Sequence, residues 1–458
     1  MSRLVAPLGY LLLVLAACAF PPAIVAGLYG ESAELFWFLG LALGTGTLGL
    51  LARRLGPSRS LAEADALPLT ALAYLLFSLL GALPFLPVGS FLNGWFEAAS
   101  GITTTGLSVF RPEALPRSLI FFRSLLQWIG GAGIVVISLA LLLPPGRTAL
   151  ALYAAEYGGD NLAGSVKLTA RRVGWVYLAL TVLGFAAYLA AGMRPFDAGV
   201  HVLSTISTGG FSPYSDSIGH YASPAVEAVV GLFMLSGAIS FPLFWLLRPG
   251  KVRAFLRERQ LWALLGASLV LGLMVAGAVG SLGVGLFQGI SAVTTTGFAS
   301  VPTQGLPTAA RWALILGMVI GGCGGSTAGG IKLFRLLGVF ALARWLLARA
   351  RLPREAEVPL RFLGETYGQE EALRLAGYVL LYLGVLALAA TALVYWGYPL
   401  GDALFEAASA QGTVGLSVGI AGPEAPAGVK LILIGLMWMG RLEILPVLLL
   451  VRRTVRRG

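Results

Sequence analysis

Four short stretches set hydroxyl side chains beside glycine in an otherwise apolar chain. They are ITTTGLS at 102–108, STISTGGFS at 204–212, AVTTTGFAS at 292–300 and QGTVGLSVG at 411–419. Aligned on Gly106, Gly210, Gly297 and Gly415, all four carry a threonine two residues earlier (Thr104, Thr208, Thr295, Thr413). They also carry a serine six earlier (Ser100, Ser204, Ser291, Ser409) and Leu107, Phe211, Phe298 or Leu416 one later. Glycine enters backbone regions closed to other residues. Threonine is β-branched, favours extended backbone and brings a hydroxyl close to the strand. Four such strands around one axis would present a ring of carbonyl oxygens able to replace the hydration shell of a monovalent cation. Moving an ion out of water into a low-dielectric medium costs roughly 20 kcal/mol, so that replacement must be nearly complete.

The candidate ion-binding residues are therefore Thr103, Thr104, Thr105 and Gly106; Ser207, Thr208, Gly209 and Gly210; Thr294, Thr295, Thr296 and Gly297; and Gly412, Thr413, Val414 and Gly415. The bland alternative is that Ser and Thr tie helices together while Gly packs them closely. That alternative would have to arise four times at matched positions.

What must position these strands is a set of membrane helices. The chain has 458 residues, 57% of them hydrophobic and 12% charged, with a mean hydropathy of +0.84. Soluble globular proteins carry about 25% charged residues. Apolar runs long enough to cross a bilayer recur along the chain, and their pattern predicts about ten spans, at roughly 7–29, 34–52, 66–87, 118–143, 173–192, 224–247, 260–281, 309–347, 375–396 and 428–451. The eighth is too long and is interrupted by GGCGGSTAGG at 321–330. Between spans lie semi-apolar segments too short to cross, at 93–104, 197–208, 284–295 and 402–413, which read as re-entrant helices. Asn93, Asp197 and Asp402 sit at matched positions as candidate caps, with Val284 the exception. The C-terminal, negative ends of these helices would point at the ion.

The glycine spacing of roughly a hundred residues marks a degenerate internal repeat. It divides the chain into an N-terminal hairpin (1–58) and four units, at 59–150, 151–250, 251–350 and 351–458. The fourth begins with a polar linker, 348–374, read as cytoplasmic with an amphipathic turn. The fold class is thus an all-α polytopic membrane protein with four pseudo-repeated units around one central pore. The first apolar run is read as a retained span, since no convincing small-residue cleavage site follows it.

The formal charge is +11, and the basic residues cluster in alternate loops: Arg53, Arg54 and Arg59; Lys167, Arg171 and Arg172; Arg248 to Arg259; Lys332 to Arg361; and Arg452 to Arg457. That is the positive-inside bias, placing both termini in the cytoplasm. It implies contact with anionic lipid headgroups and leaves no nucleic-acid footprint. Cys18 and Cys323 form neither a disulfide framework nor a metal spacing. No nucleophile–base pair or phosphate-cradling loop is present, so the chain is read as a non-enzyme without a cofactor of its own.

These motifs, together with GGCGGSTAGGIKLFR at 321–335 and GRLEILPVLLL at 440–450, resemble the TrkH/KtrB superfamily of potassium transporters over residues ~60–458. The N-terminal hairpin is most similar to the TrkH branch. The resemblance implies potassium as the transported ion, held at the filter residues, with glycine at all four positions favouring potassium. Gly209 beside Gly210, and Gly412, depart from the pattern and imply looser second and fourth quarters. The resemblance further implies an intramembrane gate formed by Gly321, Gly322, Cys323, Gly324, Gly325, Ser326, Thr327, Ala328, Gly329 and Gly330. Lys332 would be an electrostatic counterpart beside it, and Arg441 a charged barrier near the pore.

A glycine-rich interruption is physically suited to movement because it removes helix propensity; a static kink is the other reading. Arg441 lies mid-span, where a charge is expensive and faces a cavity or a partner; a structural tie to Glu443 or to carbonyls is the alternative. Glu97, His201, Gln288 and Glu406 share one repeat position, where they either brace the short helices or draw cations to the mouth. By resemblance, the chain forms a homodimer in the bacterial inner membrane on a cytoplasmic RCK/TrkA-like ring, and any nucleotide (ATP/ADP or NAD) binds only that partner. A sodium-preferring or weakly selective transporter of the same build remains a second reading, and a membrane-embedded enzyme or scaffold a remote third.

Overall fold

The computed structural model describes residues 2–55, 63–141, 162–351, 353, 359–362 and 365–455. The expected unit boundaries at 58/59 and 150/151, with Arg59, Arg354, Arg456 and Arg457, lie outside the described residues. Two apolar helices, α1 (Ser2–Tyr29) and α2 (Ser32–Leu55), form the N-terminal hairpin. They cross closely where Gly9 faces the Gly49 backbone, since a small residue lets two helix backbones approach. The carboxylate of Glu31, at the hairpin turn, accepts from the Arg117 and Ser118 amides at 2.7 and 3.0 Å. Those donors start the helix at Arg117–Leu141 and would otherwise be orphaned.

Each unit then runs long helix, short helix, non-helical strand, second helix. The first is α3 (Glu63–Gly81), α4 (Phe91–Ile102) and α5 (Arg117–Leu141). The second is α6 (Leu162–Ala190), α7 (Pro195–Ile206) and α8 (Pro224–Ala238), followed by the short α9 (Phe241–Phe244) and α10 (Val252–Leu256). The third is α11 (Arg259–Val279), α12 (Leu282–Val293), α13 (Thr308–Ile320) and α14 (Leu333–Arg349). The fourth is α15 (Gln369–Tyr395), α16 (Leu400–Gly412), α17 (Ala427–Arg441) and α18 (Leu445–Val455).

Among the described residues six helices are long and apolar enough to cross a bilayer, or seven if the bent pair α17–α18 counts as one. The described residues therefore show fewer continuous spans than the ten expected, and the expected span at 118–143 runs partly outside them. The break expected in the third unit is present, but the second helix of unit two also ends, at Ile239 and Ser240. Unit four bends by 111° between α17 and α18. Pro242 and Pro446 stand in the first turn of the helices that restart after those breaks, where proline is tolerated because its missing N–H would have no intrahelical partner. The linker differs too: within 348–374 lies a two-stranded hairpin, Leu360–Phe362 against Glu365–Tyr367, with Leu360 opposite Tyr367. Large apolar side chains such as Leu28, Leu43, Leu380 and Leu388 stand exposed, as suits helices whose solvent is hydrocarbon.

The four short helices begin earlier than expected. Their caps are Ser90, Arg194, Ser281 and Pro399, each three residues before the anticipated Asn93, Asp197, Val284 and Asp402. Only Ser90 caps with its side chain, accepting from the Asn93 amide. Asp197 and Asp402 fall in the first turn, where a negative charge suits the positive end of the helix dipole.

Candidate functional site: a ring of four threonine–glycine strands

Each short helix ends in the same way. Its last carbonyls are taken by the strand that follows: Thr104, Thr208, Thr295 and Thr413 donate to the carbonyls of Gly101, Thr205, Ala292 and Ala410. The next amides, of Thr105, Gly209, Thr296 and Val414, reach back to the carbonyls of Ser100, Ser204, Ser291 and Ser409 at 2.7–3.0 Å. The serine column of the repeat is therefore the site where the helix stops and the strand is pinned.

Thr104, Thr208, Thr295 and Thr413 all adopt left-handed backbone, with φ of 53, 52, 55 and 52°. The four glycines do so too, at 88, 74, 80 and 97°, whereas the residue between is not left-handed. The expectation that threonine brings extended backbone is wrong for this column. A β-branched residue at positive φ is a strained outlier, kept only where its surroundings over-determine it. Here four matched pairs of backbone bonds do so. Serine or threonine three before the glycine adds a further tie in units one to three, as Thr103, Ser207 and Thr294 bond the carbonyls of Ala99, Leu203 and Ile290 at 2.6–2.7 Å.

The strands meet in cyclic order. The side of Gly106 where a β-carbon would stand faces the carbonyl of Gly209; that of Gly210 faces Thr296, that of Gly297 faces Val414, and that of Gly415 faces Thr105. Unit one thus abuts two, two abuts three, three abuts four, and four returns to one. A side chain at any of these glycines would overlap a neighbouring carbonyl oxygen. The loops beyond the strands close in the same order: Glu113 holds Ser215, the Ser217 hydroxyl accepts from the Ala299 amide, Thr303 donates to the Ser417 carbonyl, and Lys430 donates to Asn93.

Glu97, His201, Gln288 and Glu406 are fully buried and brace the exiting strand. Glu97 accepts from Ser108 and Val109 and pairs with Arg123 at 2.7 Å. The His201 ring lies 3.1 Å from Ser212 Oγ, and Gln288 donates to the Val301 carbonyl. Glu406 accepts from Ser417, Val418 and Ala421. The second and fourth quarters are not loose, contrary to expectation. Gln127 fills the space beside Gly209, and the Met318 carbonyl lies where a Gly412 side chain would be.

The glycine-rich segment 321–330 folds back on itself. Ile331, Lys332 and Leu333 donate to Val319, Ile320 and Gly322, closing a loop beneath the ring. The break in unit two explains where it docks: a helix end leaves carbonyls without partners, and those of Gly237 and Ala238 are taken by the Thr327 hydroxyl and the Cys323 amide. The Gly329 amide donates to Thr295 Oγ1 at 2.8 Å, and Gly329 packs against the Gly412 carbonyl and Thr413. Gly325 accepts from the Phe241 amide, the Gly324 amide donates to Gln260, and buried Cys323 is a small packing residue in the apolar core.

Arg441 is buried and clamps this loop to the first unit. It donates to the Thr327 carbonyl at 2.6 Å and to the Gly130 carbonyl at 2.9 Å. It does not pair with Glu443, which instead binds Lys332 at 3.2 Å and Arg335 at 2.5 Å. Arg123, Gln127, Tyr74 (which donates to Gly130) and Arg335 were not singled out in the sequence. Polar residues inside apolar runs were the available signal. No group of three or more His, Cys, Asp or Glu residues suited to a metal occurs among the described residues.

Matched strands, each hung from the C-terminal end of a short helix and closed into one ring among apolar helices, define a four-unit membrane pore protein. The chain belongs to the TrkH cation-transport family: that family's profile, described as a cation transport protein, matches residues 62–248 and 261–456. It is 31% identical to a Trk system potassium uptake protein TrkH of Halomonas elongata over 97% of this chain and 96% of the relative. It is 30% identical to an uncharacterized cation transporter of Methanocaldococcus jannaschii over 97% and 94%. The crystal structure of the potassium transporter TrkH from Vibrio parahaemolyticus superposes with a TM-score of 0.87 at 28% identity, covering 99% of each chain.

Proposed function

We propose that this protein takes up potassium through the ring of four strands, with no chemical transformation of the ion. The single observation that carries the reading is the cyclic contact order of Gly106, Gly210, Gly297 and Gly415 with the next unit's carbonyl. Left-handed threonine, then a residue that is not left-handed, then left-handed glycine turns successive peptides so that their carbonyls can line one side. Such a column suits a weakly hydrated monovalent cation. The potassium named for relatives that cover nearly the whole chain supports that ion over sodium.

In this reading the filter residues are the four quartets from Thr103–Gly106 to Gly412–Gly415. The loop Gly321–Gly330 is the gate, and Arg441 its clamp, adding positive charge where cations would pass. Lys332 acts through Glu443, which fixes the lower end of the loop. The chain would sit in the bacterial inner membrane with both termini cytoplasmic, pair as a homodimer and rest on a nucleotide-binding RCK/TrkA-like ring. The basic segments 248–259 and 344–361 would serve as docking surfaces.

The test is purified protein in liposomes under an imposed potassium gradient, comparing wild type with Gly106→Ser. Wild type should prefer potassium, and the variant should lose much of that preference because its side chain displaces the Gly209 carbonyl. Equal potassium and sodium flux in both proteins would overturn the assignment.

A further inference from the structure

The four quarters of the ring differ in what fills the position just before the glycine. In units one and three a threonine stands there, and its hydroxyl pairs with the threonine two residues back: Thr105 with Thr103 at 2.8 Å, and Thr296 with Thr294 at 2.9 Å. Unit two has Gly209 instead. The vacant space is filled from another unit, by Gln127 of α5, which is fully buried. Its Nε2 donates to the Gly209 carbonyl at 2.5 Å, and its Oε1 accepts from the Phe211 amide at 3.2 Å. One side-chain amide therefore spans the peptides on both sides of Gly210, which has a φ of 74°.

The bonded carbonyl belongs to the ring itself, since the Gly209 oxygen is the one that lies against Gly106. A carbonyl oxygen has two lone pairs. A donor occupying one leaves the other for an ion and fixes the direction in which it points. Space is also committed: a β-carbon at Gly209 would lie 2.6 Å from Gln127 Oε1 and 2.7 Å from Nε2. Glutamine at 127 thus requires glycine at 209.

We infer that Gln127 is a positioning residue for ion selectivity: it holds the Gly209 carbonyl in the geometry that discriminates between alkali cations. This rests on the proposed role of the ring, and the two can fail separately. The experiment measures rubidium uptake and its competition by sodium in proteoliposomes, with monodisperse elution as the check on folding. The proteins are wild type, Gln127→Met, Gly209→Thr and the double variant Gln127→Ala/Gly209→Thr.

Gln127→Met keeps the length and loses both hydrogen bonds. Rubidium uptake should continue while preference over sodium falls about tenfold, equivalent to about 1.4 kcal/mol of lost discrimination. Gly209→Thr alone should abolish uptake, because its side chain collides with Gln127. The double variant, which frees that space and restores the hydroxyl pairing seen in units one and three, should recover uptake. A merely structural Gln127 would lower yield and stability without changing the ion ratio. A selective wild type with an equally selective Gln127→Met overturns this inference alone, as does a fully active Gly209→Thr. A wild type with no preference overturns the reading of the ring, and this inference with it.

Discussion

Replacing Arg441 by alanine should open the pathway. The guanidinium holds Thr327 of the loop to Gly130 of the first unit through bonds of 2.6 and 2.9 Å. The Gly130 carbonyl would keep the Tyr74 hydroxyl at 2.9 Å, so the uncompensated loss is the tie to Thr327. A hydrogen bond from a charged donor contributes about 1.5–3 kcal/mol. The open-to-closed ratio should therefore rise by about 10- to 150-fold. The assay is rubidium uptake into proteoliposomes holding the chain alone, for wild type, Arg441→Ala and Arg441→Lys. Lysine keeps the charge but offers a single point in place of the fork, so it should fall between the other two if the clamp matters. Were Arg441 only an electrostatic barrier, lysine would match wild type. Uptake by well-folded Arg441→Ala equal to or below wild type would refute the clamp.

Other outcomes follow from neighbouring contacts. Gly329→Ala places a methyl group against the Gly412 carbonyl and Thr413 Oγ1, so the loop should fail to seat and basal uptake should rise several-fold; unchanged uptake would argue against seating at that point. Glu443→Gln leaves Lys332 and Arg335 without their shared carboxylate. Removing one partner of a buried pair costs about 3–5 kcal/mol, and this partly accessible site should show the lower end as a reduced thermal unfolding temperature. Glu97→Gln breaks the buried pair with Arg123 and weakens the brace on Ser108 and Val109. It should lower unfolding temperature and uptake far more than Gln288→Leu, which removes one neutral hydrogen bond worth about 1 kcal/mol. Comparable effects in the two would count against charge as the source of the brace.

The repeat was legible because pinning a strand to a helix end demands the same residue types each time: Ser100 and its three counterparts, the threonine column and the glycines. The broken third-unit helix was legible from its glycine run. Left-handed threonine was not, because intrinsic preference points elsewhere and only the paired bonds to Gly101 and Ser100 in space override it. The cap positions were misplaced by three residues since arginine at 194 and proline at 399 carry no capping side chain. The breaks at Ile239–Ser240 and Leu442–Ile444 lack glycine. They are held by partners distant in sequence: Cys323 on Ala238 for the first, Lys332 and Arg335 on Glu443 for the second. Gln127 escaped notice because it has no counterpart in the repeat; its reason for being there is Gly209, in a different unit. The apparent looseness of Gly209 and Gly412 vanished for the same cause, since the space each leaves is filled from outside its own unit.

The most direct test of the central claim is an experimental density map of the protein in rubidium or thallium salt, compared with one in sodium. The account expects heavy-ion density on the common axis, within coordination distance of the carbonyls of Thr105, Gly209, Thr296 and Val414, and weaker or displaced density in sodium. Well-ordered strands with no ion density between them in any of the three salts would contradict it.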